Sequence, residues 1–314
     1  MRVIAARLVR HGEPLELQEL ELPEPGEAEA LIEVAYGGVN PIDLYGAQGQ
    51  AAPDGPVPRT LGTEGAGTVD GRPVLVRGFG IGTMRDGLWA TAAIVPRAAL
   101  IDLPEGVNLP QAAAMGVAGA TAWRTVTELA EVTADDTVLV LGASGGVGSI
   151  IVSLVHGTGA TVAGQTGHAA KRDWISALGA DYVVVSDGAG LAEALVDLPP
   201  TVVFDGLGGQ FTGAAIEAMQ PHGRLVLFGT SAGLTGEVSL RQLYRKGITV
   251  RGYAGLLASN EAITAALDQA LQALASGRFT VPIDSELPLD QVNVAFELIK
   301  GRRLHGNLVL DTGI

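Results

Sequence analysis

The residues best suited to chemistry lie in one stretch, Val138-Leu139-Val140-Leu141-Gly142-Ala143-Ser144-Gly145-Gly146-Val147-Gly148. An apolar run of strand type enters a glycine-rich turn and leaves as an apolar helix. That order is the dinucleotide fingerprint G-x-G-x-x-G with Ala143 in the first glycine place. Gly145 lets the backbone approach a pyrophosphate, Gly148 lets the helix pack on the strand, and the helix N-terminus faces the phosphates. A tight turn in any α/β protein can produce such a triplet; strand, glycines, helix and a following second strand together favour the dinucleotide. The second strand leads into Gly167-His168-Ala169-Ala170-Lys171-Arg172. A site for NAD usually carries Asp or Glu about 20 residues past the glycines, to hold the ribose 2′-hydroxyl. Gly167 occupies that place, and no carboxylate occurs between Gly148 and Asp173. Beside a 2′-phosphate a carboxylate would cost about 4 kcal/mol per unit-charge pair at an effective dielectric of 20. The pattern therefore selects NADPH, although Lys171 and Arg172 also suit a solvated helix start.

These residues need a sheet to hold them. Residues 137–155 carry no charge and are long enough to be mistaken for a membrane span. The glycines inside them read better as strand, turn and helix. From about residue 110 the chain alternates strand and helix: VLVL, ATVAG, DYVVV, TVVFD, RLVLFG and ITVRGY are the strands, which predicts a parallel, doubly wound sheet. PQAAAMGVAGATAWRTVTELAEV reads as helix with Pro110 in its first turn. The first hundred residues are β-rich, and LELQELEL alternates apolar and polar as a half-buried strand should. The tail adds two helices, over EAITAALDQALQALASG and DQVNVAFELIKG, and a last strand NLVL. A chain of 314 residues holds about two domains. The net charge of −14 opposes phosphate backbones and anionic lipid, so no nucleic-acid or membrane partner is expected. Cysteine is absent, which removes disulfides, thiolate metal sites and a cysteine nucleophile. The N-terminus has no signal-peptide pattern, so the reading is a soluble, cytoplasmic protein.

Further motifs run collinearly through the chain: Gly38-Val39-Asn40-Pro41-Ile42-Asp43-Leu44-Tyr45, Leu61-Gly62-Thr63-Glu64-Gly65-Ala66-Gly67, Leu103-Pro104-Glu105-Gly106-Val107, Gly119-Ala120-Thr121-Ala122, Leu178-Gly179-Ala180-Asp181, Asp205 with Gly208-Gly209, and Gly306-Asn307-Leu308-Val309-Leu310. Together they resemble the zinc-independent quinone oxidoreductase group of the medium-chain dehydrogenase/reductase superfamily. The resemblance implies a GroES-like substrate domain over 1–112 and 256–314 and a Rossmann domain over 113–255. It also implies NADPH as cofactor and a homodimer formed by edge strands, with ITVRGY as the candidate. By resemblance, Asn40, Pro41 and Thr121 belong at the nicotinamide. Ser144, Gly145, Gly146, Val147 and Gly148 belong at the pyrophosphate, and Thr166, His168, Lys171 and Arg172 at the adenosine phosphate. Gly229, Tyr253 and Asn307 line the cofactor site. Ser186 stands where the group often has a tyrosine packed at that phosphate, which shifts duty to Lys171 and Arg172.

Zinc-dependent relatives use a Cys and the His of a GHE triplet; here the triplet is Gly62-Thr63-Glu64. The five histidines (11, 156, 168, 222, 305) show no paired ligand spacing, and Glu64 reads as a structural or pocket carboxylate. The expected activity is metal-independent hydride transfer from NADPH to a quinone or a conjugated C=C bond. Asn40 orients nicotinamide or substrate, and Tyr45 is the candidate proton-donating hydroxyl. The rival reading is a catalytically silent family member kept as a binding or structural protein. An S-adenosylmethionine methyltransferase also opens with a glycine turn, but needs an acidic residue where Gly167 stands.

Overall fold

The computed structural model describes residues 1–314. The chain divides into two compact units, Met1–Ala120 with Ser259–Ser276 and Val281–Ile314, and Thr121–Ala258 with Gly277–Thr280. The first boundary falls at Ala120, where the sequence places it at 112. Residues 109–119 stay with the first unit because they pack on its strands. No helix is long and apolar enough to cross a membrane.

The first unit opens with β1 (Arg2–Leu8), β2 (Glu16–Glu21), β3 (Glu29–Val39), α1 (Pro41–Ala47), β4 (Arg59–Thr60), β5 (Glu64–Val69), β6 (Arg72–Arg77), β7 (Ala92–Pro96) and β8 (Leu100–Asp102). β1 lies between β2 and β4, antiparallel to both. The alternation of LELQELEL does form β2, but as a sheet edge: Leu15 enters the core while Leu17 stays 44% exposed. Trp89 anchors this unit, with its ring centre 5.6 Å from that of Phe296 and its indole N–H donated to Gly38 O at 3.0 Å. A Cβ on Gly38 would lie 2.2 Å from Ala113 O, so β3 runs close there to the helix that ends at Ala113. α2 (Leu109–Ala113), capped by the Asn108 side chain on Gln111 N–H, runs into a π-helical stretch, Met115–Gly119.

The second unit carries α3 (Ala120–Arg124), whose first residue belongs to unit one, and a second π stretch, Thr125–Leu129. The expected helix is thus divided into short α and π stretches, and π widenings often mark functional sites. Then follow β9 (Thr137–Leu141), α4 (Gly146–His156), β10 (Thr161–Thr166), α5 (Arg172–Ala177), β11 (Tyr182–Val185), α6 (Leu191–Ala194), β12 (Val202–Asp205), α7 (Gln210–Ala218), β13 (Arg224–Leu227), α8 (Leu240–Lys246) and β14 (Thr249–Gly252). All six strands are parallel in the order β11-β10-β9-β12-β13-β14. This is the doubly wound order, whose ligand crevice lies beyond the carboxyl ends of the strands. The uncharged run 137–155 is accounted for: Val138 to Leu141 of β9 are buried, and α4 buries Ile150, Ile151, Val152, Leu154 and Val155. β14 is the sheet edge and is exposed along its whole length.

The chain returns to the first unit as α9 (Asn260–Ala275), β15 (Ile283–Pro288), α10 (Val292–Lys300) and β16 (Asn307–Asp311). Ser259 caps α9 through its hydroxyl on Ala262 N–H. β16 sits between β15, which it parallels, and β3, to which it is antiparallel.

Candidate functional site

At the end of β9, Gly142 turns through φ +70°, a conformation that favours glycine. Gly145 caps α4 in extended conformation (φ −83°, ψ 174°), with no side chain bonded to the first amides of the helix. A Cβ added at Gly145 would meet only Gly142 O, at 3.5 Å, an ordinary contact. A Cβ at Gly148 would lie 2.3 Å from the same oxygen. The two glycines thus differ in kind. Gly145 leaves room outside the turn; Gly148 lets helix meet strand.

The end of β10 is tied to this turn. Gln165 is buried; its side-chain oxygen accepts Gly142 N–H at 3.0 Å and its Nε2 donates to Ser186 O at 2.6 Å. One amide therefore joins the ends of β9, β10 and β11. Thr166 is buried beside it and accepts Ser186 N–H on its carbonyl at 3.0 Å. Around Gly167 no atom lies within 4 Å of an added Cβ. Lys171 is only 7% exposed, and its Nζ donates to Ser144 Oγ at 3.3 Å, inside the glycine turn. A cation and the positive end of a helix dipole together favour an anion at that point. Arg172 is exposed and donates to Val183 O at 2.8 Å, and His168 is exposed. The Ser186 hydroxyl serves its own turn, donating to Ala189 O and accepting Gly188 N–H.

Two further strand ends complete this side. Asp205 accepts the amides of Leu207 and Gly208 on one oxygen, at 2.8 and 2.9 Å, and the Thr212 hydroxyl on the other, at 2.6 Å. The Asp-Gly-Gly motif is a turn clamp. Gly229 packs on the backbone of Gly206, where a Cβ would come within 2.7 Å of its oxygen. Tyr253 directly follows β14, and the Arg124 guanidinium lies 5.6 Å from its ring centre. Thr121 opens the second unit and accepts the Thr125 hydroxyl on its carbonyl at 2.7 Å.

In the first unit, Asn40 is buried at the N-terminus of α1, with Pro41 as first helical residue. Its own N–H donates to Asp43 Oδ2 at 2.9 Å, while Asp43 Oδ1 accepts Thr63 N–H at 3.0 Å. Burial pushes the Asp43 carboxyl up to about 6 against the pull of these bonds. The Asn40 side-chain amide donates to Glu64 Oε1, and Glu64 Oε2 accepts Val117 N–H at 2.6 Å. Glu64 has no exposed surface, and burial above all raises its pKa to about 8, with Asp43 adding to the shift. Tyr45 lies one turn after Pro41 on α1 with 37% of its surface exposed. The register pairing Leu308 with Val39 puts Asn307 next in line to Asn40; the Asn307 amide donates to Pro282 O at 3.1 Å. Gln165 and the Asp43–Thr63 clamp escaped the sequence reading, because nothing local in the sequence marks a side chain that bonds backbone 20 residues away.

Residues 26–105 match the family described as Alcohol dehydrogenase GroES-like domain, and residues 146–277 the family described as Zinc-binding dehydrogenase. Among curated proteins, Quinone oxidoreductase 1 of Escherichia coli is 29% identical, over 96% of this chain and 97% of its own. Among solved structures, an NAD-dependent alcohol dehydrogenase superposes with a TM-score of 0.91 at 25% identity, covering the whole of both chains. Mycobacterial Rv1454c complexed with NADPH gives a TM-score of 0.87 at 25% identity, over 98% of this chain and 99% of that one. The second family's description raises zinc, which takes thiolate, imidazole or free carboxylate ligands. In the Asn40 cluster both oxygens of Asp43 and both of Glu64 already accept hydrogen bonds, and Thr63 stands between Gly62 and Glu64. These residues do not fit a zinc ion.

Proposed function

The chain belongs to the medium-chain dehydrogenase/reductase superfamily, in its quinone oxidoreductase-like group, and from that premise we propose an NADPH-dependent reductase of quinones or conjugated C=C bonds. It is an oxidoreductase of the nicotinamide-dependent type. The observation that carries the choice of NADPH is Lys171, nearly buried and bonded to Ser144 at the bare N-terminus of α4, with Gly167 where a ribose-binding carboxylate would stand.

NADPH supplies the hydride when bound. The chain's own residues supply place and charge. The first amides of α4 and the Lys171 ammonium hold phosphate oxygens; the open space around Gly167 admits a 2′-phosphate where a carboxylate would repel it. Asn40 orients the nicotinamide or the substrate oxygen through its amide, and the Tyr45 hydroxyl offers a proton from its partly exposed place on α1. A quinone or enone spreads the incoming charge onto its own oxygen, so positioning can supply much of the catalysis. A simple ketone would need an electrophile that this donor set does not build. The same reading makes the protein a homodimer through β14, whose outer edge offers unpaired backbone groups beside exposed Val250 and Tyr244.

The test is a titration with NADPH and NADH, followed by turnover of an enone, a quinone and a simple alcohol after exhaustive chelation. Tighter binding of NADPH with enone or quinone reduction is expected. Equal binding of both cofactors sinks the NADPH assignment. Binding without turnover of any acceptor selects the silent-member reading.

A further inference from the structure

The Asn40 cluster contains more than α1 needs. Asp43 alone secures the turn, through Asn40 N–H and Thr63 N–H. Glu64 adds a second carboxyl, fully buried, that reaches past the backbone to the side-chain amide of Asn40. Its other oxygen holds Val117 N–H, in the π-helical stretch. The packing is built around this carboxyl. A Cβ on Gly38 or on Gly116 would each lie 2.5 Å from one of its oxygens. The charged groups facing it are Asp43 from α1 and Arg77, its partner in the β5–β6 ladder.

We infer that Glu64 is a positioning residue, which sets the orientation of the Asn40 amide between β5 and the Val117 turn. The inference deepens the proposed function and rests on it for the role of Asn40. Glu64 Oε2, 2.6 Å from Val117 N–H, stays an acceptor in either state. Ionised, the carboxyl can only accept, and it takes the Asn40 NH2 group. Protonated, its proton lies on the oxygen facing Asn40, which then presents its carbonyl instead. Because burial holds the Glu64 carboxyl at about 8, the switch falls within the range of ordinary assays.

Glu64→Leu removes both acceptors and Glu64→Gln preserves the shape and the protonated pattern. The expected result for Glu64→Leu is a loss of at least about tenfold in kcat, with NADPH affinity within about twofold of wild type. Glu64→Gln restores most of the rate and erases a one-proton step near pH 8 in the wild-type kcat profile. An unchanged kcat in Glu64→Leu, or the same step persisting in Glu64→Gln, overturns the inference. Should Glu64→Leu not fold, the Glu64→Gln profile decides. If wild type reduces no quinone or enone, the proposed function fails separately. The side-chain amide signal of Asn40 in the nitrogen-15 spectrum then decides: it should move with pH in wild type and stand still in Glu64→Gln, and identical behaviour in both refutes the inference.

Discussion

On the proposed reading, Lys171 is the residue whose loss tests cofactor choice most directly. Charge-assisted hydrogen bonds to a phosphate are worth roughly 1.5–3 kcal/mol, so Lys171→Ala should weaken NADPH by about one to two decades. If the ammonium serves the 2′-phosphate, NADH affinity stays put; if it serves the pyrophosphate through its place at Ser144, both cofactors weaken together. Parallel fluorescence titrations separate the two. Glu64 also carries a stability signature. Its folded pKa of about 8 lies above the ordinary carboxyl value of 4.5, so between those limits the folded state binds more protons than the unfolded one. The contribution of this group to stability is therefore greatest below pH 4.5 and falls as pH rises to 8, at up to about 1.4 kcal/mol per pH unit. Asp43 acts in the same sense between 3.8 and about 6. Glu64→Gln should match wild type in melting temperature near pH 5 and exceed it near pH 9; a constant difference would contradict the shift.

Elements show why two glycines of one motif should answer differently to mutation. Gly145→Val makes an ordinary contact in a backbone conformation any residue adopts, so the melting temperature should hold while NADPH binding is lost. Gly148→Ala drives a methyl into the Gly142 carbonyl and should cost roughly 1–3 kcal/mol of stability, seen as a lower denaturation midpoint. At the sheet edge, Val250→Glu should shift a dimer toward monomer in sedimentation, since the strand is exposed and the chain already carries a net charge of −14. The parallel sheet and the glycine turn were legible because buried strands and dinucleotide turns leave local patterns. β15 was not: its half-buried face, Ile283, Ser285 and Leu287, is broken by a serine and the strand ends in Pro288, so its alternation is too weak to stand out. The widened turns at 115–119 and 125–129 follow from packing and not from periodicity. In the site, the glycines were readable by type, while the inward course of Lys171 and the pairing of Asn40 with Glu64 depend on contacts 24 or more residues apart.

For the whole molecule, the division of the chain matters more than its length. The second unit is nearly one continuous segment, whereas the first is assembled from three. A chain ending at residue 304 lacks β16 and should lose the first unit's cooperative unfolding; retained NADPH binding would show that the second unit stands without it. β16 lies between β15 and β3, so a strand made among the first forty residues waits for a neighbour made among the last ten. On the ribosome, then, the order of folding runs against the order of synthesis. The second unit can close before β16 is made, and the first unit, with one edge of β3 bare through that interval, is the part most exposed to misassembly during synthesis.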